Sequence, residues 1–217
     1  MSCASDEIPT TLLTQWHVNS KFEQVLHDHH STATQLNLVD TIKEGKVEFE
    51  LDAIILGKWK RAIAGRVASR GKLGDIQPYL NSIVEICKGL DINGKRFTSY
   101  SHHNGNSQVE FFLGKDQRFG QIQMIYLSLQ TAEKMWLVIK PYKEVKNADD
   151  PYWEYPDLNC RLVQAEYEAV VVIDSKDVIG HAAILKHQKG TFGIKVETLG
   201  AVGLGTSVSE RSRYQVC

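Results

Sequence analysis

Apolar and polar positions change their period near Asn93-Gly94. Upstream, apolar residues recur every three or four positions; downstream they tend to alternate, as in half-buried strands. Residues 96–101, 107–113, 119–129, 134–142 and 169–173 read as strands, with two further strands over 178–186 and 192–198. The gaps carry turn residues: Asn104-Gly105, Gly114-Lys115-Asp116 and the stretch 146–158. The polar segment 101–107, containing His102, His103, Asn104 and Asn106, reads as a hairpin tip. Short strands spaced this closely, with no helices between them, predict an antiparallel sheet curled into a barrel or sandwich.

The upstream part predicts three helices. Residues 10–30 carry a stripe of Leu13, Trp16, Phe22, Val25 and Leu26, and close on His27-Asp28-His29-His30. Histidines one and two apart on a helix point in different directions, so this cluster predicts a solvated end and no metal site. A second helix covers 49–67. A third starts at Asp75 as N-cap, with Pro78 in its first turn, and stops at Gly89. The fold class is therefore α+β. A helical subdomain with a loose leading tail spans 1–92, an antiparallel β module spans 93–200, and a Gly- and Ser-rich tail spans 201–217.

Composition narrows the functional classes. The chain has 217 residues, enough to bury a core, and 42% hydrophobic with 24% charged residues suits a globular protein. Net charge is −1, which excludes bulk electrostatic coating of nucleic acid and leaves only local patches. Cys3, Cys87, Cys160 and Cys217 form no CxxC pair, so neither zinc-ribbon nor redox chemistry is predicted. Asp6 and Glu7 break any leader pattern, and no apolar run is long enough to span a bilayer. The expectation is an intracellular protein, nuclear or cytoplasmic, that does not enter membranes.

Two stretches are candidate binding surfaces. Lys58, Lys60, Arg61, Arg66, Arg70 and Lys72 fall together with no acidic residue among them. Clustered cations of this kind can grip phosphates, and they also form ordinary solvated helix surfaces. In the segment 149–157, Tyr152, Trp153 and Tyr155 lie beside Asp149, Asp150, Glu154 and Asp157, pinned by Pro151 and Pro156. Aromatic faces near carboxylates can cage a soft cation, with Tyr100 and Trp136 completing the pocket; the other reading is that these rings plug one end of a barrel. The sequence contains no P-loop, no HExxH, no GxSxG and no strand-linked GxGxxG, so neither cofactor nor metal is predicted.

Arg96-Phe97-Thr98-Ser99-Tyr100-Ser101, His103, Gly105-Asn106-Ser107 and Arg118-Phe119-Gly120-Gln121-Ile122 occur in that order. Lys140-Pro141-Tyr142, Asp150-Pro151-Tyr152, Tyr155-Pro156, Arg161-Leu162 and Val178-Ile179-Gly180-His181 follow. Together they resemble the C-terminal region of Plavaka-type transposon-derived proteins of mushroom-forming fungi, over about residues 94–185. The resemblance implies a tail module separated from the acidic catalytic triad of such transposases, or a gene remnant, without strand-transfer activity. The strand layout is also similar to bromo-adjacent homology domains, β-barrels that bind chromatin or other proteins. The expected function is thus a non-catalytic interaction module for chromatin-associated protein or nucleic acid. The alternative is a small enzyme, linked to a fungal biosynthetic gene set, using His103 or His181 as base beside Asp150 or Asp177.

Overall fold

The computed structural model describes residues 47–69, 80–131 and 134–205, which belong to one compact unit. The strands are β1 (Val47–Glu50), β2 (Ile83–Ile86), β3 (Gly89–Ile92), β4 (Lys95–Thr98), β5 (Gln108–Leu113) and β6 (Asp116–Leu127). They continue as β7 (Met135–Glu144), β8 (Cys160–Tyr167), β9 (Val171–Asp174), β10 (Val178–His187) and β11 (Thr198–Gly203). Two α-helices accompany them, α1 (Ala53–Ser69) and the single turn α2 (Asn104–Ser107).

The period change at Asn93-Gly94 marks a tight hairpin. Both residues take positive φ, 51° and 73°, and Ile92 pairs directly with Lys95. That double left-handed geometry is the two-residue turn that Asn-Gly favours, because its twist matches the strands it joins.

Nine strands form one sheet in the order β1-β2-β6-β5-β10-β11-β8-β7-β9, with β6 also paired to β7; β3 and β4 form a separate ribbon. Every pairing is antiparallel. The bonds run from β5 to β6, β6 to β7, β7 to β8, β8 to β11 and β11 to β10, and β10 pairs with β5.

Strand β7 is buried on both sides along its first half. Met135, Leu137 and Ile139 enter one cluster with Phe97, Val109, Phe111, Ile122 and Ile125. Trp136 and Val138 enter another with Trp59 and Ile63 of α1, Leu80, Val84 and Tyr126. This is the period-2 alternation of a strand with a full layer on each face. A third cluster gathers Phe119, Tyr142, Val163, Ala182, Leu199 and Ala201 from β6, β7, β8, β10 and β11.

The structure corrects several expectations. Residues 83–86 and 89–92 are strands, so no helix runs to Gly89. Ile83, Val84 and Ile86 include three β-branched side chains, which favour a pleated surface, and β2 is held between β1 and β6. Phe49 belongs to β1, and the second helix starts at Ala53, where Asp52 Oδ1 accepts from Ile55 N at 2.8 Å and caps it. Segment 101–107 holds a helical turn capped by His103, not a hairpin tip.

The last expected strand, 192–198, is displaced. A short 3-10 turn occupies Thr191–Gly193, and β11 extends through Ala201, Val202 and Gly203 into the expected tail. Strand β8 was absent from the sequence reading. The boundary at residue 92 runs through a shared core, because the second cluster joins Leu51, Trp59 and Val84 to Tyr126, Trp136 and Val172. The expected helix over 10–30, the start of the third helix and the end of the C-terminal tail lie outside the described residues.

Candidate functional site

A groove of about 780 Å³ opens between β6, β7, β8, β10 and the turn α2. Its floor includes Tyr142, Ala182 and Leu199, members of the third cluster. Its wall is polar: Asn104, Gln108, Gln121 and Gln123, with Lys140 and Tyr167 alongside. Residues opposite one another in a ladder face the same side, so the pairs Gln108↔Gln121 and Gln121↔Lys140 set these side chains next to each other.

The wall is a connected hydrogen-bond network. Tyr142 OH donates to Gln108 Oε1 at 2.8 Å, and Gln108 Nε2 donates to Asn104 Oδ1 at 3.0 Å. Gln121 Nε2 donates to the same Asn104 Oδ1 at 3.3 Å, and Tyr167 OH donates to Gln121 Oε1 at 3.2 Å. Gln123 Nε2 adds a bond to Gln121 Oε1 at 3.1 Å. The two tyrosine rings stack at 4.9 Å between centroids, which closes the circuit. Burial is the main cause that pushes the Tyr142 hydroxyl well above the usual phenol range, with Tyr167 adding to it, so that hydroxyl stays a donor.

Local sequence explains this arrangement. A bulge in β6 between Ile122 and Met124 changes which side the following residues face. Met124 and Tyr126 then join Gln121 on the face of Val138, Trp136 and Lys140. Asn104 is held by the helical turn, where His103 Nδ1 accepts from Asn106 N at 3.1 Å and Ser107 Oγ donates to Asn104 O at 2.7 Å.

Of the five expected ligand-binding aromatics, Tyr100 lines this groove and is about half exposed. Trp136 does not reach a surface: it is 0% exposed, bonds Thr131 Oγ1 at 3.2 Å, and meets Trp59 edge-on at 5.9 Å. It is a core ring, because α1 lies across its face. Tyr152, Trp153 and Tyr155 sit on the connection between β7 and β8. Trp153 already carries the Arg161 guanidinium 4.0 Å from its ring centroid, and Tyr152 meets Phe192 edge-on at 6.2 Å. Tyr155 is exposed. Asp150, in the same segment, is buried and holds the connection to β8: its Oδ1 accepts from Tyr152 N at 2.9 Å and Leu162 N at 3.2 Å. Burial, with Asp150 adding to it, pushes the nearby Cys160 thiol up to about 12, which leaves it protonated and unreactive at neutral pH.

The basic stretch is divided. Lys58, Arg61 and Arg66 line a second groove of about 630 Å³ beside Phe112, Val171 and Asp177, while Lys60 is exposed on another side of α1. Arg66 is engaged by acids: its Nη1 lies 3.2 Å from Asp174 Oδ2, a side chain 1% exposed, and its Nη2 bonds Asp177. That pairing neutralises the charge a phosphate would need. Arg70 and Lys72 lie outside the described residues.

The histidines and carboxylates of the enzyme alternative are occupied separately. His103 caps α2, and His181 stacks on Phe97 at 4.0 Å. Asp150 and Asp177 are held as described above. Among the described residues no group of three or more His, Cys, Asp or Glu converges as a metal site would require. None of their helices is long and apolar enough to cross a membrane.

Gln108, Gln121, Tyr142 and Tyr167 were missed from sequence. The available signal was alternation at Gln108 and Gln121, each followed on its strand by an apolar residue of the opposite face, Val109 or Ile122; Tyr167, between Glu166 and Glu168, carried no such signal. No family model matches this chain, nor does any curated protein or solved structure.

Proposed function

We propose that this protein is a non-catalytic interaction module in which β5, β6, β7, β8, β11 and β10 close into a small barrel, with the amide-lined groove at its mouth as the seat for a partner. The circuit of pairings supports the closed shape, as does the clustering of Tyr142, Ala182 and Leu199 from three of its strands. The observation that carries the reading is the wall itself. Four side-chain amides and two tyrosines hold one another in place before any ligand arrives, so little ordering is lost on binding.

Of the two partner classes suggested by sequence, a chromatin-associated protein fits the groove better than nucleic acid. Lys186 is paired with Glu197 at 3.0 Å, which leaves Lys140 as a single cation on the lining, whereas nucleic-acid grooves track several phosphates. Amides that both donate and accept match the groups of a peptide main chain. A volume near 780 Å³ suits a short segment. An origin as the tail of a transposon-encoded protein is the companion proposal, and a transposase frame directly upstream of the gene would test it.

Selection of binders from a random peptide library displayed on phage tests the function. Binders recovered on the wild-type chain are expected to be lost on Gln121→Leu and retained on Trp153→Ala. Binders that ignore Gln121→Leu, or a selection that yields none, would overturn the assignment.

A further inference from the structure

The groove's polar groups are not all spent on each other. Asn104 Oδ1 accepts from both Gln108 and Gln121, and Asn104 Nδ2 has no hydrogen-bond partner among the described residues. Lys140 lies opposite Gln121 in the β6–β7 ladder, with Nζ 6.0 Å from the Tyr167 ring centroid. Neighbouring lysines are neutralised, Lys143 by Glu166 at 3.2 Å and Lys186 by Glu197 at 3.0 Å. Lys140 has no carboxylate partner among the described residues. Two sets of N–H donors, one of them cationic, therefore flank Gln121 within one groove.

Resting on the interaction-module reading, we propose that the groove selects a peptide segment bearing a single anionic group, carboxylate or phosphate, which Lys140 Nζ and Asn104 Nδ2 receive together. An unpaired ammonium on a partly buried wall favours an anion, and charge-assisted bonds are about twice as strong as neutral ones. One cation answers one anionic group. A polynucleotide would bring several phosphates to a wall of neutral amides, so the peptide is the better match. The remaining amides then meet the uncharged main chain on either side of the anion.

The test is a titration of the isotopically labelled full chain, followed through its side-chain amide resonances. The probes are end-blocked pentapeptides of glycine with a central Glu, phosphoserine or Gln, together with a ten-residue oligothymidylate. The Glu or the phosphoserine peptide should move the Asn104 and Gln121 amides and bind at least about tenfold tighter than the Gln peptide; the tighter of the two identifies the natural anion. Lys140→Met, with an otherwise unchanged spectrum, should erase that preference. If the Gln peptide binds the groove equally well, or Lys140→Met keeps the preference, anion selection is wrong while the peptide seat survives. If the oligothymidylate moves these amides at lower concentration than any peptide, the partner class is wrong. If no peptide moves them at millimolar concentration, both this inference and the seat it rests on fall.

Discussion

One face of the β6–β7 pair carries two different environments within a few residues. Toward the start of β7, Trp136 and Val138 meet Tyr126 and Met124 beneath α1, and Trp59 closes over them with rings 5.5 Å from Tyr126 and 5.9 Å from Trp136. Further along the same face, Lys140 and Tyr142 meet Gln121 and Phe119, and the groove opens above them. Strand β7 is continuous across both halves, and the bulge in β6 between Ile122 and Met124 keeps Gln121, Met124 and Tyr126 on this one face. What differs is cover: α1 lies over one half and not the other. An aromatic on a strand is core or site according to what a distant segment does.

Removing a ring from the covered half should have the largest consequence. Trp136→Ala should cost roughly 4 kcal/mol in denaturant unfolding, since it empties a sealed layer. A loss under about 1 kcal/mol would mean that α1 does not seat there in solution.

The polar cluster around Glu110 asks whether a buried polar region behaves as core. Glu110 is 0% exposed and accepts from Gln117 and, at 3.4 Å, from Asn159 Nδ2, which also donates to Gly203 O at 2.9 Å. A methyl on Gly203 would overlap both Glu110 Oε2 and Asn159 Nδ2. Gly203→Ala should therefore destabilise by about 2 kcal/mol in the same assay. A neutral result would show the cluster to be loosely packed.

On the uncovered half the expectation inverts. Tyr167→Ala removes a half-exposed ring and should change stability by no more than about 1 kcal/mol, yet abolish capture of library-selected peptides. Equal losses of stability and capture would erase the distinction between the halves.

The smallest effect is a pH dependence. Burial first, and Lys95 nearby, hold the His181 imidazole below its ordinary value. The native state therefore binds fewer protons than the unfolded chain just below pH 6.5, so stability should be full above that value and fall as pH drops through the lowered one. His181→Phe keeps the stack on Phe97 and should flatten that slope; an unchanged slope would assign it to other groups.

The strands from 95 to 144 were legible because alternation, Asn93-Gly94 and Gly114 mark them locally. Strand β8 was not, since Cys160-Arg161-Leu162-Val163 follows a loop whose aromatics dominate the pattern, and Leu162 is buried partly by that loop's own Asp150 anchor. The helix expected up to Gly89 failed because Leu80, Ile83, Val84 and Cys87 fit a helical stripe as well as they fit two-sided strand burial. At the site, Tyr100 was legible only as an aromatic beside a polar turn; it lies in the turn after β4 and not on the expected strand. Gln108, Gln121 and Tyr167 were not, because what makes them a wall is mutual bonding across strands whose register no local pattern reveals.

Strand β7 pairs with β6 from Met135 to Pro141, with β9 along its first half, and reaches β8 at its end. Sliding it by one residue would send the Lys140 ammonium into the cluster of Leu137 and Ile139 and take Trp136 away from its place beneath α1. Such a slip is too costly to be populated, so the mouth and the interior share one cooperative fate. Amide protons along the β7 ladder, including those beside the ligand seat, should exchange with deuterated solvent only through opening of the whole unit.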